Sequence, residues 1–81
     1  MHIQDAIYEI LEIQRNQGKV AFPDDFFGEI HTGFYFNEKL KKLCECKFNT
    51  QTGELAYTDT PVHPSINYAR EEYSILAPED L

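Results

Sequence analysis

The sequence is poor in cysteine, in basic residues and in long apolar runs, and each shortage excludes a class of protein. It contains two cysteines, whereas a small secreted domain is normally held together by four or more. No apolar run approaches the roughly 20 residues that a membrane-spanning helix needs. The N-terminus also lacks the basic and then apolar stretches of an export signal. We therefore expect a soluble, cytoplasmic protein with reduced thiols.

Basic residues are outnumbered two to one by acidic residues, which argues against direct binding to nucleic acid or to an anionic membrane. Seven Lys and Arg stand against 14 Asp and Glu, which gives a formal net charge of −7. Residues 38–47, with four lysines and two glutamates, are the one basic stretch. Because polyanion binding depends on a dense cationic surface, the charge favours a protein partner with a basic or mixed surface.

The sequence also lacks the patterns that most catalytic and cofactor sites require. Its four glycines stand apart, so it contains no glycine-rich loop for binding phosphate. Acidic pairs such as Glu71 and Glu72 are adjacent, and adjacent side chains diverge on a helix and face opposite sides of a strand. We therefore predict a non-enzymatic protein without a cofactor, and no motif assigns it to a known family.

The length and composition predict one small folded domain. The chain has 81 residues, of which 42% are hydrophobic and 14% aromatic. We place the domain at residues 1–76 and expect residues 77–81 to fray as an acidic tail. A domain of this length has a thin core, so we expect its net stability to be only a few kcal/mol.

The first segment carries the clearest secondary-structure signal. Apolar residues recur at the spacing of one helical face: Ile3, Ala6, Ile7, Ile10 and Leu11. Gly18 stands where a left-handed C-terminal cap would end a helix, so we predict a helix over residues 2–17. The periodicity is then lost, and residues 22–28 are expected to form one short turn.

The middle of the chain changes to a period of two, which predicts a three-stranded antiparallel meander. The first strand, about residues 30–36, is followed by a turn at residues 37–39 and a second strand at about 40–48. A hairpin loop, in which Gly53 supplies a positive φ, leads to the third strand at about 55–59. The N-terminal helix is the natural cover for the apolar face of this sheet, so the fold class is α+β.

Downstream of the meander, the spacing predicts a short C-terminal helix at about residues 65–76. Ile66, Ala69, Tyr73 and Leu76 follow helical periodicity. A strand would instead place Arg70 and Glu72 on the same face as apolar side chains. The helix is therefore the favoured interpretation of this segment.

Tyrosines supply the strongest candidates for a binding site. Strand alternation makes it difficult to bury Tyr35 together with Phe34 and Phe36, so some tyrosines must be exposed or lie in an interface. Tyrosine among acidic residues is typical of protein-binding patches, although half-buried surface tyrosines are the alternative interpretation. The predicted partner-binding residues are Tyr35, Tyr57, Tyr68, Glu71 and Glu72.

Cys44 and Cys46 support an alternative hypothesis, a small metal-binding protein. Residues i and i+2 of a strand face the same side, and His31 could join the two thiols in a zinc site if the strand register brings it near. Structural zinc ligands, however, usually come as two compact pairs, and the three histidines are scattered singly. The favoured interpretation is therefore buried thiols on a strand that faces a helix, with no metal ion.

The sequence thus predicts a small acidic interaction module, a regulator or inhibitor, that docks on a basic macromolecular partner. A sharper form is a nucleic-acid mimic, which would need carboxylates in phosphate-like rows. An exposed sheet edge would also offer a route to a homodimer.

Overall fold

The computed structural model describes residues 1–13, 16–24, 29–62 and 72–81. These residues form one α-helix and five strands: α1 (Ile3–Glu12), β1 (Val20–Pro23), β2 (Ile30–Asn37), β3 (Lys42–Asn49), β4 (Leu55–Pro61) and β5 (Tyr73–Leu76). Neighbouring strands are antiparallel and follow the order β4-β3-β2-β1-β5. The predicted α+β class is confirmed.

The N-terminal helix is shorter than the predicted span of residues 2–17. His2 acts as the N-cap, since its Nδ1 accepts a 3.3 Å hydrogen bond from the Gln4 backbone N–H. The helix ends before Ile13, which has an extended backbone (φ −94°, ψ 112°). Gly18 is left-handed (φ +82°), but it serves the loop to β1 rather than the helix end. No helix among the described residues is both long enough and apolar enough to cross a membrane.

The sheet has five strands where the sequence predicts three. The three predicted strands are β2, β3 and β4, and Gly53 in the last hairpin has the expected positive φ of +75°. The additional strand β1 lies between β2 and β5 and is buried along its whole length. A strand buried on both faces shows no alternation, which is why the pattern at Phe22 and Pro23 indicates a turn instead.

The predicted C-terminal helix is wrong in its last turn. Residues 73–76 form β5, which pairs with β1 so that Leu76 lies opposite Val20. In so short a segment, the positions of Tyr73 and Leu76 fit helical spacing as readily as a strand, and pairing with β1 decides between them. Most of that predicted helix lies outside the described residues.

Each face of the sheet carries its own hydrophobic cluster. The first-face cluster lies beneath α1 and is built from Ala6, Ile10, Ala21, Phe34 and Tyr73. The second-face cluster is built from Val20, Phe22 and Cys46, with Tyr35, Phe48, Leu55, Leu76 and Leu81 packed around them. Because successive side chains of a strand point to opposite faces, the two clusters share strands but lie on opposite sides of the sheet.

Cys44 and Cys46 are buried, as predicted, but they do not face the helix. β3 turns Leu43 toward the first-face cluster and both thiols toward the second face. The prediction that the thiols face the helix depends on a sheet that buries only the face beneath α1. A sheet with two apolar faces buries the thiols on the side opposite α1.

The last residues, predicted to form an acidic tail, include a 3-10 helix at Pro78–Asp80. Leu81 follows it and packs against the second-face cluster. This contact places the adjacent acidic residues Glu79 and Asp80 at the border of the second face.

The edges of the sheet are β4 and β5. β5 has only four residues, and β4 contains an irregularity in its pairing with β3. Short and irregular edges discourage pairing with a strand of another molecule. The homodimer through a sheet edge stays a prediction, and the more regular first half of β4 is where such pairing would be easiest.

Candidate protein-interaction site

Tyr35 and Tyr57, two of the predicted binding residues, lie side by side on the second face. They belong to β2 and β4, the strands that flank β3, and their ring centroids are 4.8 Å apart at an interplanar angle of 64°. Such an edge-to-face contact fixes the orientation of both rings. Tyr57 is 51% exposed, whereas Tyr35 is half-buried. In this tyrosine pair, Tyr57 is therefore the side chain that a partner can reach, and Tyr35 supports it.

An irregularity in β4 lies beside the tyrosine pair. On β3 a single residue separates Cys44 from Cys46, but their partners on β4, Pro61 and Tyr57, are separated by three residues. The additional length makes residues 58–60 a bulge in the edge strand. A bulge redirects the side chains it carries, so it changes what this edge presents to a partner.

Hydrogen bonds with β3 and with the next strand, β2, hold the bulge in place. The Tyr35 hydroxyl donates to the Thr58 carbonyl oxygen at 2.8 Å. The Thr58 hydroxyl in turn donates to the Glu45 carbonyl oxygen of β3, also at 2.8 Å. The Asn37 amide donates to Asp59 Oδ1 at 3.1 Å. These bonds fix the exposed carboxylate of Asp59 near the tyrosine pair.

Asn37 is the buried polar residue that organises this corner of the sheet. Besides its bond to Asp59, its Nδ2 donates to the Tyr35 hydroxyl oxygen at 3.1 Å, and its Oδ1 accepts from the Leu40 backbone N–H at 3.1 Å. A buried amide with these partners gives the site a defined geometry. The sequence analysis assigns Asn37 only to a turn, because its link to the bulge is made with Asp59, 22 residues away in the chain.

Both tyrosines are held in their neutral form. Burial raises the pKa of Tyr35, electrostatic repulsion from Cys44 and Asp59 raises it further, and the hydrogen bond with Asn37 opposes these effects. Burial, followed by repulsion from Cys46, raises the pKa of Tyr57. Since tyrosine ordinarily titrates near pH 10, both hydroxyls remain protonated at physiological pH. The charge beside the tyrosine pair therefore comes from the Asp59 carboxylate.

Acidic side chains border the second face. Asp59 is exposed in the bulge of β4. Glu79 and Asp80 are exposed in the 3-10 helix, immediately before Leu81, which packs against the second-face cluster. The exposed ring of Tyr57 thus shares its face with the Asp59 carboxylate, and Leu81 packs the segment that carries Glu79 and Asp80 against the same face.

Cys44, Cys46 and His31 all belong to strand positions that face the second side, but they do not form a ligand set. Among the residues that the structure describes, no group of three or more His, Cys, Asp or Glu is placed to hold a metal ion. Burial raises the pKa of the Cys46 thiol to about 12, although a backbone hydrogen bond with Gly33 opposes the shift. In the absence of a metal ion, the Cys46 thiol therefore stays protonated at physiological pH.

Of the other predicted residues, Glu72 lies far from the tyrosine pair. It precedes β5, at the sheet edge opposite β4, so four strand spacings of about 4.8 Å, roughly 20 Å in total, separate it from Tyr57. Its carboxylate forms an ion pair with the α-amino group of Met1 at 2.9 Å, although 71% of its side chain remains exposed. Tyr68 and Glu71 lie outside the described residues.

No protein-family model, curated protein or solved structure matches this chain. The tyrosine pair, the bulge of β4 and the acidic border are therefore the observations from which a function can be inferred.

Proposed function

We propose that this protein is a small acidic interaction module that binds a basic surface of another protein through the second face of its sheet. The tyrosine pair carries this proposal: Tyr57 is exposed, yet its ring is held in place by Tyr35. A fixed aromatic ring loses little conformational freedom when a partner binds, and it contributes a large contact area. Asp59, fixed by Asn37, adds a carboxylate that can pair with a basic side chain of the partner.

Charge and contact area contribute to different steps of binding. The net charge of −7 attracts a basic partner from a distance and so speeds the first encounter. Burial of the Tyr57 ring then slows dissociation. We place the module in the cytoplasm, where reducing conditions keep the free cysteines Cys44 and Cys46 unoxidised. There it would regulate or inhibit its partner by covering a basic surface.

Matched variants test which surface is used. The immobilised protein captures its partner from the source cell, and the purified pair is then measured by surface plasmon resonance. Tyr57→Ala is expected to raise the dissociation rate by about tenfold or more. Tyr8→Ala is the control, since Tyr8 is 57% exposed on α1 and lies away from the second face. Equal effects of the two variants would contradict binding through the tyrosine pair.

The charge contribution is tested at Asp59. Asp59→Asn removes the carboxylate charge but keeps an oxygen that can accept the hydrogen bond from Asn37. It is expected to slow association, and raising the salt concentration should reduce the difference from wild type. Asp5→Asn changes the net charge equally but lies in the first turn of α1. A partner whose binding depends on neither salt nor Asp59 would contradict acidic docking.

The nucleic-acid mimic is the sharper form of this proposal. It predicts that the captured partner binds nucleic acid and that duplex DNA competes with the module for the same basic surface. A competition experiment with duplex DNA therefore separates mimicry from acidic docking on another kind of protein.

A further inference from the structure

The outer edge of β4 offers another molecule a row of backbone groups. β4 is the last strand on its side of the sheet, so this row has no neighbouring strand among the described residues. The regular part of the edge is residues 55–57, because the bulge begins at Thr58. We call this part the β4 edge.

The hydrogen bonds of the hairpin show which backbone groups point outward. The Asn49 N–H donates to the Glu54 carbonyl oxygen at 2.9 Å, so the residues that close the hairpin form a hydrogen-bonded pair. In an antiparallel ladder, such pairs alternate with pairs that exchange no hydrogen bonds. Along the register from that first pair, Ala56 belongs to a hydrogen-bonded pair, whereas Leu55 and Tyr57 do not. The N–H and C=O groups of Leu55 and Tyr57 therefore point away from β3.

These outward groups are accessible to an added strand. Tyr57 is 51% exposed, and Ala56 is exposed as well. Within the described part of the chain, no hydrogen bond beyond the ladder with β3 involves the backbone of Leu55 or Tyr57. Edge strands are commonly protected by lysine, proline or a bulge, and here the protection begins only after Tyr57, with the bulge and Pro61. Residues 55–57 themselves contain neither a charge nor a proline.

The charges around the β4 edge favour a basic strand. Exposed carboxylates flank it, Glu54 at one end and Asp59 at the other. Lys47 lies opposite Ala56, so the centre of an added strand should be uncharged. A second copy of this chain would bring another net charge of −7 to the same edge, so repulsion opposes self-pairing. The occupant that fits is an extended segment with basic residues on both sides of an uncharged centre.

We propose that an extended segment of the basic partner adds to the sheet as an antiparallel strand along the β4 edge. This inference rests on the function proposed above and states how the partner is recognised. The outward N–H and C=O groups of Leu55 and Tyr57 would bond to its backbone, and its apolar side chains opposite them would lie on the second face. Its basic residues would pair with Glu54 and Asp59.

The probe is a synthetic hexapeptide with blocked ends, a lysine at each end, and threonine, valine, threonine, valine between them. In the proposed register, the valine N–H groups face β4 and the threonine N–H groups face water. N-methylation of both valines is therefore expected to weaken binding to the full chain by about tenfold or more, because the hydrogen bonds that they donate to β4 are lost. N-methylation of both threonines adds the same groups on the outer side, and the affinity should stay within about threefold of the unmodified peptide.

Hydrogen exchange followed by NMR locates the contact on the protein. Saturating hexapeptide is expected to slow exchange at the Leu55 and Tyr57 N–H groups by about tenfold or more. Exchange at Ala56 should change less, because its N–H already bonds to β3. A hexapeptide with glutamate in place of both lysines should bind at least about tenfold more weakly, and added salt should reduce this difference.

A pair of variants tests the same edge from the side of the protein. Leu55→Pro removes one outward N–H, and proline at such a position leaves the ladder with β3 intact. Leu55→Ala is the matched control, since it loses similar side-chain packing but keeps the N–H. With both variants folded by circular dichroism, Leu55→Pro should bind the hexapeptide about fivefold more weakly than Leu55→Ala. The N-methylated peptides give the same test on the wild-type chain.

Equal binding of the two N-methylated peptides would overturn strand addition, and so would equal protection of residues 55, 56 and 57. Protection of Leu55 and Tyr57 that appears without peptide as the protein concentration rises would show that a second copy fills the β4 edge, which would also overturn it. If Tyr57→Ala releases the partner while the methylated peptides bind equally, the proposed function stands and strand addition fails. Selective protection of the edge with no effect of Tyr57→Ala on the partner would support strand addition and contradict the role of the tyrosine pair.

Discussion

The side chain of Phe22 lies directly against the backbone of Gly33, its neighbour across β1 and β2. A Cβ atom at position 33 would be 2.7 Å from Phe22 Cδ1 and only 2.2 Å from the Ala21 carbonyl oxygen. Real Cβ atoms do not approach other atoms so closely. The aromatic ring therefore occupies the space that a side chain at position 33 would need, and glycine within a strand allows this close approach.

Gly33→Ala is expected to destabilise the protein by about 1–3 kcal/mol, because β1 and the Phe22 ring must both shift to admit a methyl group. Gly53→Ala is the control: it has nothing within 4 Å, and its cost is limited to about 1 kcal/mol for the left-handed φ of +75°. Urea unfolding followed by circular dichroism measures both. A Gly33→Ala protein as stable as wild type would contradict the close packing of β1 on β2.

The packing of α1 on the sheet gives a second prediction. Ile10 is buried in the first-face cluster, so Ile10→Asp would place an unpaired carboxylate among Ala21, Phe34 and Tyr73. The expected cost is several kcal/mol, enough to unfold a domain of this size. Leu11→Asp, one residue along the same helix, changes a side chain that is 44% exposed and should leave the fold intact. A folded Ile10→Asp protein by circular dichroism would argue against this packing.

The sequence predicts the longer strands with a period of two, and it misses the two short ones. A period of two in the sequence predicts β2, β3 and β4, although their residues do not alternate at every step. β1 has no such alternation, since all four of its residues are buried and it is covered on both faces, and β5 is four residues long. The order of the strands depends on pairing between distant segments, which a local pattern does not encode.

The candidate site, too, could be predicted from the sequence only in part. Alternation places Tyr35 and Tyr57 on defined faces of their strands, but only the order β4-β3-β2 brings their rings together. The bulge that carries Asp59 has no signature in composition, since it arises from the register of β4 against β3.

Elemental analysis of protein purified without an affinity tag tests the metal-binding alternative. Two thiols packed in an apolar layer predict a zinc content far below one per chain, both in wild type and in the Cys44→Ser, Cys46→Ser double variant. The variant should fold with modest destabilisation, since it buries two hydroxyl groups. Stoichiometric zinc in wild type, lost in the variant, would instead support the metal-binding hypothesis.

Alkaline pH should weaken the fold through Cys46. The pKa of Cys46 rises from 9.0 to about 12 in the folded protein. As the pH increases, Cys46 in the unfolded chain therefore loses its proton before Cys46 in the folded protein does. The contribution of the buried thiol to stability is therefore fully present below pH 9 and is lost as the pH rises toward 12. Tyr35 and Tyr57, whose pKa values are also raised, act in the same direction.

Urea midpoints at about pH 8 and about pH 10.5 measure this dependence. Wild type should lose more stability over this interval than Cys46→Ala, which has no thiol to ionise. The variant keeps the contribution of the tyrosines and so should retain a smaller pH dependence. Identical dependence in the two proteins would mean that the folded state does not shift the pKa of Cys46.

Asn37→Ala should loosen the bulge of β4 while leaving the sheet folded. The substitution removes the donor to Asp59 and to the Tyr35 hydroxyl, and the acceptor for the Leu40 N–H. The expected cost is about 1–3 kcal/mol, because a buried and fully bonded amide is lost and its partners are left with fewer bonds. Urea unfolding measures the cost.

Asn49→Ala is the matched control. The Asn49 Oδ1 also accepts hydrogen bonds in a turn, from the Gln51 and Thr52 N–H groups. This turn is an exposed hairpin loop, so water can replace the lost acceptor. It should cost less than about 1 kcal/mol. Hydrogen exchange distinguishes the two sites: Asn37→Ala should increase exchange at Thr60 within the bulge, whereas Asn49→Ala should not. If Asn37→Ala changes stability but leaves exchange in the bulge unaltered, Asn37 supports the β2 to β3 turn alone, and the position of Asp59 is set by the strand register.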